Sequence, residues 1–321
     1  MVRIATLTLN PTIDVAYEVD RVFHTHKMRT RAEIYAPGGG GINVARVLSR
    51  LGTTSHCLYL SGGATGPAFD GLMAEHGLSG TRIAISEPTR IAGAVLERES
   101  GKEYRFTPLG PKVSAKELEA CVDAIARTEC DWFVASGSLS PGIPDGFYAQ
   151  IANMMHARGI PFVLDTSGTA LREGLAGGHV LLVKPSLNEL SQLCGRELVT
   201  KQDISTAACA LATDGRAELV AVTMGHDGAL LASRNGACFL PTPQVVAASA
   251  VGAGDSFLAG MVHALSAKQG PEDALRLGIA SGAAAVLAPG TSLALASDIT
   301  RLRIAMQDIQ AVAVPFADLD Q

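Results

Sequence analysis

Val251-Gly252-Ala253-Gly254-Asp255-Ser256-Phe257 runs directly into Leu258-Ala259-Gly260-Met261-Val262, and this segment sets the reading of the whole chain. Two glycines let a backbone turn tightly and approach a ligand closely. The apolar run after them has helical character, so the turn opens a helix. Its first N–H groups are unpaired and its dipole favours an anion. Asp255 falls in the first helical turn, where a carboxylate is placed to take a proton from a hydroxyl. A base beside an anion hole is what phosphoryl transfer to an alcohol requires. Read alone, the same residues also fit an Asp that merely caps a helix. The rest of the chain decides between the two.

Working outward, short apolar runs alternate with longer amphipathic ones. Residues 4–9, 57–60, 132–135, 161–164, 180–183 and 219–223 read as strands. Residues 42–51, 115–127, 146–158, 205–214, 255–268 and 271–287 read as helices. This alternation predicts an α/β fold, a mainly parallel sheet flanked by helices on both faces, formed as one domain over 1–321. Ligands should gather beyond the carboxyl ends of its strands. Two stretches, about 15–36 and 90–106, break the pattern. Each reads as strands separated by turns, with Ser100-Gly101-Lys102 dividing a hairpin. They predict a small β-sheet lid over the strand ends, and a dimer surface. The alternative is an antiparallel extension of the main sheet.

Composition narrows the function classes. Of 321 residues, 47% are hydrophobic, ample for a large core. Aromatics at 5% leave few stacking platforms for nucleic acid, and the net charge of −5 argues against a generic polyanion binder. Cys57, Cys121, Cys130, Cys194, Cys209 and Cys238 form no CxxC pair, so they read as buried hydrophobes in a reducing cytosol. His24 and His26 alternate along an expected strand, which suits exposed polar residues better than a metal pair. Met1-Val2-Arg3-Ile4-Ala5-Thr6-Leu7 reads as a first strand, not a signal peptide, and no membrane span is evident. The expectation is a cytoplasmic protein without nucleic-acid or membrane partners.

Other segments offer chemistry at the expected strand ends. Pro37-Gly38-Gly39-Gly40-Gly41-Ile42-Asn43 precedes a helix; its N–H groups and the Asn43 amide suit a polar ligand. The alternative is a flexible hinge, disfavoured by the entropy of four glycines. Asp14, in Asn10-Pro11-Thr12-Ile13-Asp14, stands where a first strand ends and suits sugar hydroxyls. Lys27, Arg90 and Arg105 fall in the irregular stretches and are suited to phosphate, or are solvated surface charges. Ser136-Gly137-Ser138, Asp165, Val183-Lys184-Pro185-Ser186-Leu187-Asn188-Glu189 and Thr223-Met224-Gly225-His226-Asp227-Gly228 each follow a strand. Lys184 is suited to nucleotide phosphates and Glu189 to magnesium through water. No Walker loop and no dinucleotide fingerprint is present, which counts against a nicotinamide oxidoreductase.

Together these segments resemble the ribokinase/PfkB carbohydrate kinase family. The resemblance runs from Thr6-Leu7-Thr8-Leu9-Asn10-Pro11 to Ser281-Gly282-Ala283-Ala284-Ala285. Within the family the chain is similar to the minor bacterial 6-phosphofructokinase branch. Pro37-Gly38-Gly39-Gly40-Gly41 carries this, because related 1-phosphofructokinases and tagatose-6-phosphate kinases usually have Lys where Gly40 stands. Gly62-Gly63-Ala64-Thr65-Gly66 and Gly101-Lys102-Glu103-Tyr104-Arg105-Phe106 fit the same branch.

The resemblance implies a glycolytic kinase that converts fructose 6-phosphate and ATP to fructose 1,6-bisphosphate and ADP. Asp255 would be the base, with Gly252, Ala253 and Gly254 as the anion hole. Asp14, Gly39 and Asn43 would hold sugar hydroxyls; Arg90, Arg105, Lys27 and Ser138 would hold the 6-phosphate. Lys184, Ser186, Thr223, Gly225 and Gly228 would lie along Mg-ATP, with Ala283 near the adenine. Glu189 would hold magnesium, and K+ would sit near Ser249 and Val251. One departure stands out: the family's Asn-x-x-Glu reads Ser186-Leu187-Asn188-Glu189 here. A homodimer through the lid is expected. The alternatives are kinases of fructose 1-phosphate or tagatose 6-phosphate, and a non-catalytic sugar-phosphate sensor supported only by Ser186.

Overall fold

The computed structural model describes residues 2–316. The chain opens with β1 (Ile4–Thr8) and then lays down β2 (Thr12–Val19) and β3 (Ala32–Gly38). Next come α1 (Gly40–Arg50), β4 (Ser55–Gly62), α2 (Gly66–Glu75), β5 (Ser79–Ile85), β6 (Arg90–Glu97) and β7 (Glu103–Phe106). From α3 (Ala115–Arg127) strand and helix alternate: β8 (Trp132–Ser136), α4 (Phe147–Ala157), β9 (Phe162–Asp165), α5 (Gly168–Ala176) and β10 (Val180–Val183). Helices α6 (Leu187–Cys194) and α7 (Lys201–Thr213) lead to β11 (Ala217–Thr223), β12 (Ala229–Ser233) and β13 (Gly236–Leu240). Helices α8 (Ala253–Ser266), α9 (Pro271–Leu287) and α10 (Ala296–Ala305) precede β14 (Val312–Val314).

Ten strands form the main sheet in the order β14-β13-β12-β11-β10-β9-β8-β1-β4-β5. The seven from β11 to β5 run parallel, and β12 to β14 add an antiparallel edge. Period-two alternation fills both faces. Ala5, Leu7, Phe133, Phe162 and Leu164 join one core cluster, while Ile4, Val134, Val163 and Leu182 join the opposite one with α8 and α9. Every residue of β1 is buried, as expected of a strand covered on both sides. Truncating a side chain such as the fully buried Phe133 to Ala costs about 3–5 kcal/mol.

The two irregular stretches form a separate sheet, β3-β2-β6-β7, and not an extension of the main one. Strand β2 pairs antiparallel with β3 and parallel with β6, and β7 closes the hairpin on β6. Three sequence expectations need correction here. His24 and His26 lie on no strand; residues 20–31 connect β2 to β3 in bends and open loop. Asp14 does not end the first strand but is the third residue of β2, because Asn10 and Pro11 turn the chain into the small sheet at once. Cys194 is exposed at the end of α6, unlike the buried Cys57, Cys121, Cys130 and Cys209. Among the described residues no helix is long and apolar enough to cross a membrane.

Candidate active site

Strand β1 lies between β4 and β8, where the chain reverses its direction of building. Such a switch point leaves a crevice at the carboxyl ends of the strands. Helix α1 is pressed into it. A Cβ on Gly40 would overlap Ser136 Oγ and stand 2.8 Å from the Gly137 nitrogen. One on Gly41 would stand 2.5 Å from the Leu7 carbonyl oxygen, and one on Gly38 would overlap the Asp14 carboxylate. Gly39 caps the helix with φ 104°. The quartet is a packing requirement, not a hinge.

Helix α8 starts from Gly252, which has the left-handed conformation (φ 68°), and no side chain caps it. Asp255 therefore does not serve as the cap. Its Oδ2 instead accepts from Asn43 Nδ2 at 2.9 Å, across 212 residues of sequence. Asn43 Oδ1 accepts from Arg46 Nη1 at 3.2 Å. Burial, then the nearby Asp165 charge, pushes the Asp255 carboxyl up to about 6, against the Asn43 bond and the Lys184 and Arg46 cations. Asp14 is likewise pushed up to about 6, by burial first and by Asp255, while Arg46 and Arg90 oppose the rise. A carboxylate with this pKa is ionised at neutral pH yet basic enough to accept a proton.

Lys184 abuts the glycine turn: a Cβ on Gly254 would lie 3.3 Å from its Nζ. The ammonium pairs with Asp165 Oδ1 at 3.1 Å, and both side chains are largely buried. Burial alone would lower the lysine pKa, but Asp165, Glu189 and Asp255 together raise it, so the cation is held. Asp165 Oδ2 accepts from Ser136 Oγ at 3.2 Å. Ser186 and Glu189 form a capping box on α6, with Glu189 Oε2 accepting from the Ser186 nitrogen at 2.7 Å and from its Oγ at 2.9 Å. Among the described residues no three His, Cys, Asp or Glu side chains converge on one point. The donors that do gather, carboxylates around a buried lysine, suit a hard cation that keeps its water, as magnesium does.

A cavity of about 350 Å³ opens beside Gly254, lined by Thr223, Gly225, Gly228, Val245, Phe257 and Ala283 among others. Its walls are mainly apolar, which suits a flat heterocycle. Gly225 and Gly228 both have positive φ in the turn after β11. Ser249 Oγ donates to Glu103 Oε2 at 2.9 Å and accepts from the Val251 nitrogen at 3.2 Å.

The expected phosphate residues are only partly brought together. Arg90 donates to the carbonyls of Pro108 and Asn10, both at 2.8 Å, and Ser138 Oγ accepts from Asn10 Nδ2 at 3.2 Å. Arg105 shares Asp14's face of the small sheet, but it pairs with Ala94, four residues along β6 from Arg90. That spacing is about 13 Å. Its Nε is engaged by Glu103 Oε1 at 2.5 Å. Lys27 stands exposed in the 20–31 connection, at the end of the β2–β3 hairpin opposite Asp14 and Gly38. One chain does not bring it to the crevice.

The sequence profile described as pfkB family carbohydrate kinase matches residues 7–298. The chain belongs to the pfkB family. A pfkB relative from Mycobacterium tuberculosis, named ATP-dependent 6-phosphofructokinase isozyme 2, is 40% identical over 93% of this chain and 88% of its own. The 1-phosphofructokinase of Bacillus subtilis is 32% identical over 88% of this chain and 91% of its own. Phosphofructokinase-2 from Escherichia coli, solved with potassium, superposes with a TM-score of 0.91 at 35% identity, covering 95% of this chain and 99% of that one. Its complex with fructose-6-phosphate gives 0.89 at 34% identity over the same shares.

Four residues of this pfkB site escaped sequence reasoning. Arg46 is a buried cation three residues after Asn43 and so on its side of α1. That spacing was the available signal. Asp165 stood at a strand end but received no role. Asn10 and Glu103 gave no local signal, since each acts through a partner distant in sequence.

Proposed function

We propose that the chain is an ATP-dependent 6-phosphofructokinase. The observation that carries this reading is the Asn43–Asp255 pair at the uncapped start of α8, with the Lys184 ammonium against the same turn. Asp255 takes the proton of the sugar's 1-hydroxyl as that oxygen forms a bond to the γ-phosphorus of ATP and the bond to the β-phosphate oxygen breaks. ADP leaves, and the sugar becomes the 1,6-bisphosphate. The N–H groups at Gly252, Ala253 and Gly254, with Lys184, stabilise the charge on the migrating phosphoryl group. Asp14 and Gly39 orient the sugar. Arg90 and Ser138, both fixed through Asn10, form the phosphate end.

The cavity lined by Ala283 takes the adenine, with Ser186, Thr223, Gly225 and Gly228 along the phosphates. Glu189 and Asp165 would hold magnesium through water, which would supply charge neutralisation on the ATP phosphates. Potassium beside Ser249 and Val251 would support the anion hole; the solved relative with potassium motivates this reading. The small sheet acts as a lid on a single domain, closed by Glu103 on Ser249. A second copy covering the lid would complete a homodimer and offers the place where Lys27 and Arg105 would be used. The enzyme would work in the cytoplasm.

Fructose 1-phosphate is the second substrate to weigh, given the Bacillus relative. ADP release with Mg-ATP over fructose 6-phosphate, fructose 1-phosphate and tagatose 6-phosphate tests the reading. The highest kcat/KM should be with fructose 6-phosphate. No ADP with any sugar would leave the sensor alternative standing.

A further inference from the structure

Behind Asn43 lies a buried cation that does not line the adenine cavity but whose charge acts on Asp14 and Asp255. Arg46 is only 5% exposed. Its Nη1 donates to Asn43 Oδ1 at 3.2 Å and to the Pro37 carbonyl at 3.3 Å, and its Nη2 donates to the Thr291 carbonyl at 3.1 Å. Guanidinium carries donors only. An Asn amide has two ends of similar shape, and either could in principle face Asp255. A donor-only neighbour removes that freedom. The end towards Arg46 must be Oδ1, so Nδ2 faces Asp255 Oδ2. The reversed amide would set acceptor against acceptor at Asp255 and donor against donor at Arg46. Each such mismatch leaves buried polar groups unpaired, the costly outcome in a desolvated site.

We propose that Arg46 is a positioning residue for phosphoryl transfer: it locks the Asn43 amide so that one oxygen of Asp255 is engaged and the other is presented to the attacking hydroxyl. The lock is anchored at both ends. Pro37 precedes the glycine quartet, and Thr291 lies in the loop whose Leu293 abuts Gly252, where a Cβ would overlap it. Helix α1, the strand end at Pro37 and the 289–293 loop thus meet on one guanidinium, and Asn43 and Leu293 carry the connection on to the turn of α8. Arg50, one turn on, is an internal comparison. It donates to the carbonyls of Ser292 and Ala294, both at 2.7 Å, and so holds the same loop. No bond joins it to Asn43.

The inference rests on Asp255 being the base, and a double-mutant cycle separates the two claims. Arg46→Met should lower kcat for fructose 6-phosphate about 100-fold, with the KM for ATP within about twofold. Arg46→Lys, which keeps the charge but not the fork, should lose about 10-fold. In an Asn43→Ala background Arg46→Lys, which keeps the charge that acts on Asp255 and Asp14, should lower kcat less than about threefold, because the amide to be locked is gone. Arg50→Met should lower Tm by as much as Arg46→Met while keeping kcat. Equal Arg46→Lys losses in both backgrounds would overturn the lock. So would a kcat loss in Arg50→Met equal to that of Arg46→Met, which would assign the effect to the loop. Should Arg46→Met not fold, the Arg46→Lys cycle discriminates in the same way. Failure of the parent reading shows separately, as absence of ADP from the unmodified enzyme.

Discussion

Asp255 accepts a proton only when ionised, and burial with Asp165 lifts its carboxyl to about 6. kcat/KM should therefore fall as pH drops through about 6, with Asp14, pushed up to the same value, adding to the fall. Asn43→Ala removes a bond that favours the carboxylate, so the acid limb should move to higher pH; a pH–rate profile of both forms reads this out. The stability sign is opposite. A folded carboxyl that holds its proton more tightly than the unfolded chain loses stability as pH rises towards 6. Asp255→Asn should then raise Tm at pH 8 while lowering kcat about 10²–10⁴-fold. The same variant with near-normal turnover would refute the base. Asp255, Asn43 and Asp14 were legible in the sequence because each sits beside a turn signal. Their mutual contacts were not. Asn43 and Asp255 are 212 positions apart, and spacing rules reach only a few residues.

Among the elements, α9 was readable to the residue because Pro271 opens it on a full apolar run. Helix α7 begins four residues before the apolar pattern suggests, since Thr200 and Asp203 form a capping box whose residues are polar. Helices α2, α5, α6 and α10, strand β5 and the β12–β14 edge were missed: the helices are short, and β12, buried along nearly its whole length, shows no two-fold alternation. Helix α1 was expected, but its contact with β1 and β8 was not. Gly40→Ala should destabilise by about 1–3 kcal/mol, since the added methyl must displace Ser136 or the Gly137 backbone. Denaturant unfolding measures it; an unchanged midpoint would mean that the crevice is looser than these distances allow.

At the scale of the whole molecule, the small sheet and the segment leading into α8 are joined by a side-chain bond. Glu103 on β7 meets Ser249 beside the anion-hole turn, so Glu103→Ala should raise ADP release in the absence of sugar several-fold by letting water in. Tyr35, Val15, Gly93 and Phe106 lie on one rung of that sheet, and Tyr35 and Phe106 are 49% and 63% exposed. Aromatic side chains exposed in this way suit coverage by another copy. For the homodimer proposed above, Phe106→Glu should shift sedimentation towards the monomer, and an unchanged species would exclude this face from such a contact. The small sheet was legible as two irregular stretches, but which rung carries the aromatics depends on register, which a two-fold alternation cannot set alone.

The closely fitted quartet at residues 38–41 has a consequence for heredity. In a saturation library selected for growth on this enzyme, those four codons should be among the emptiest columns, each refusing even alanine for a different atomic reason. The exposed loop at 20–31 should fill freely wherever no neighbouring copy needs it.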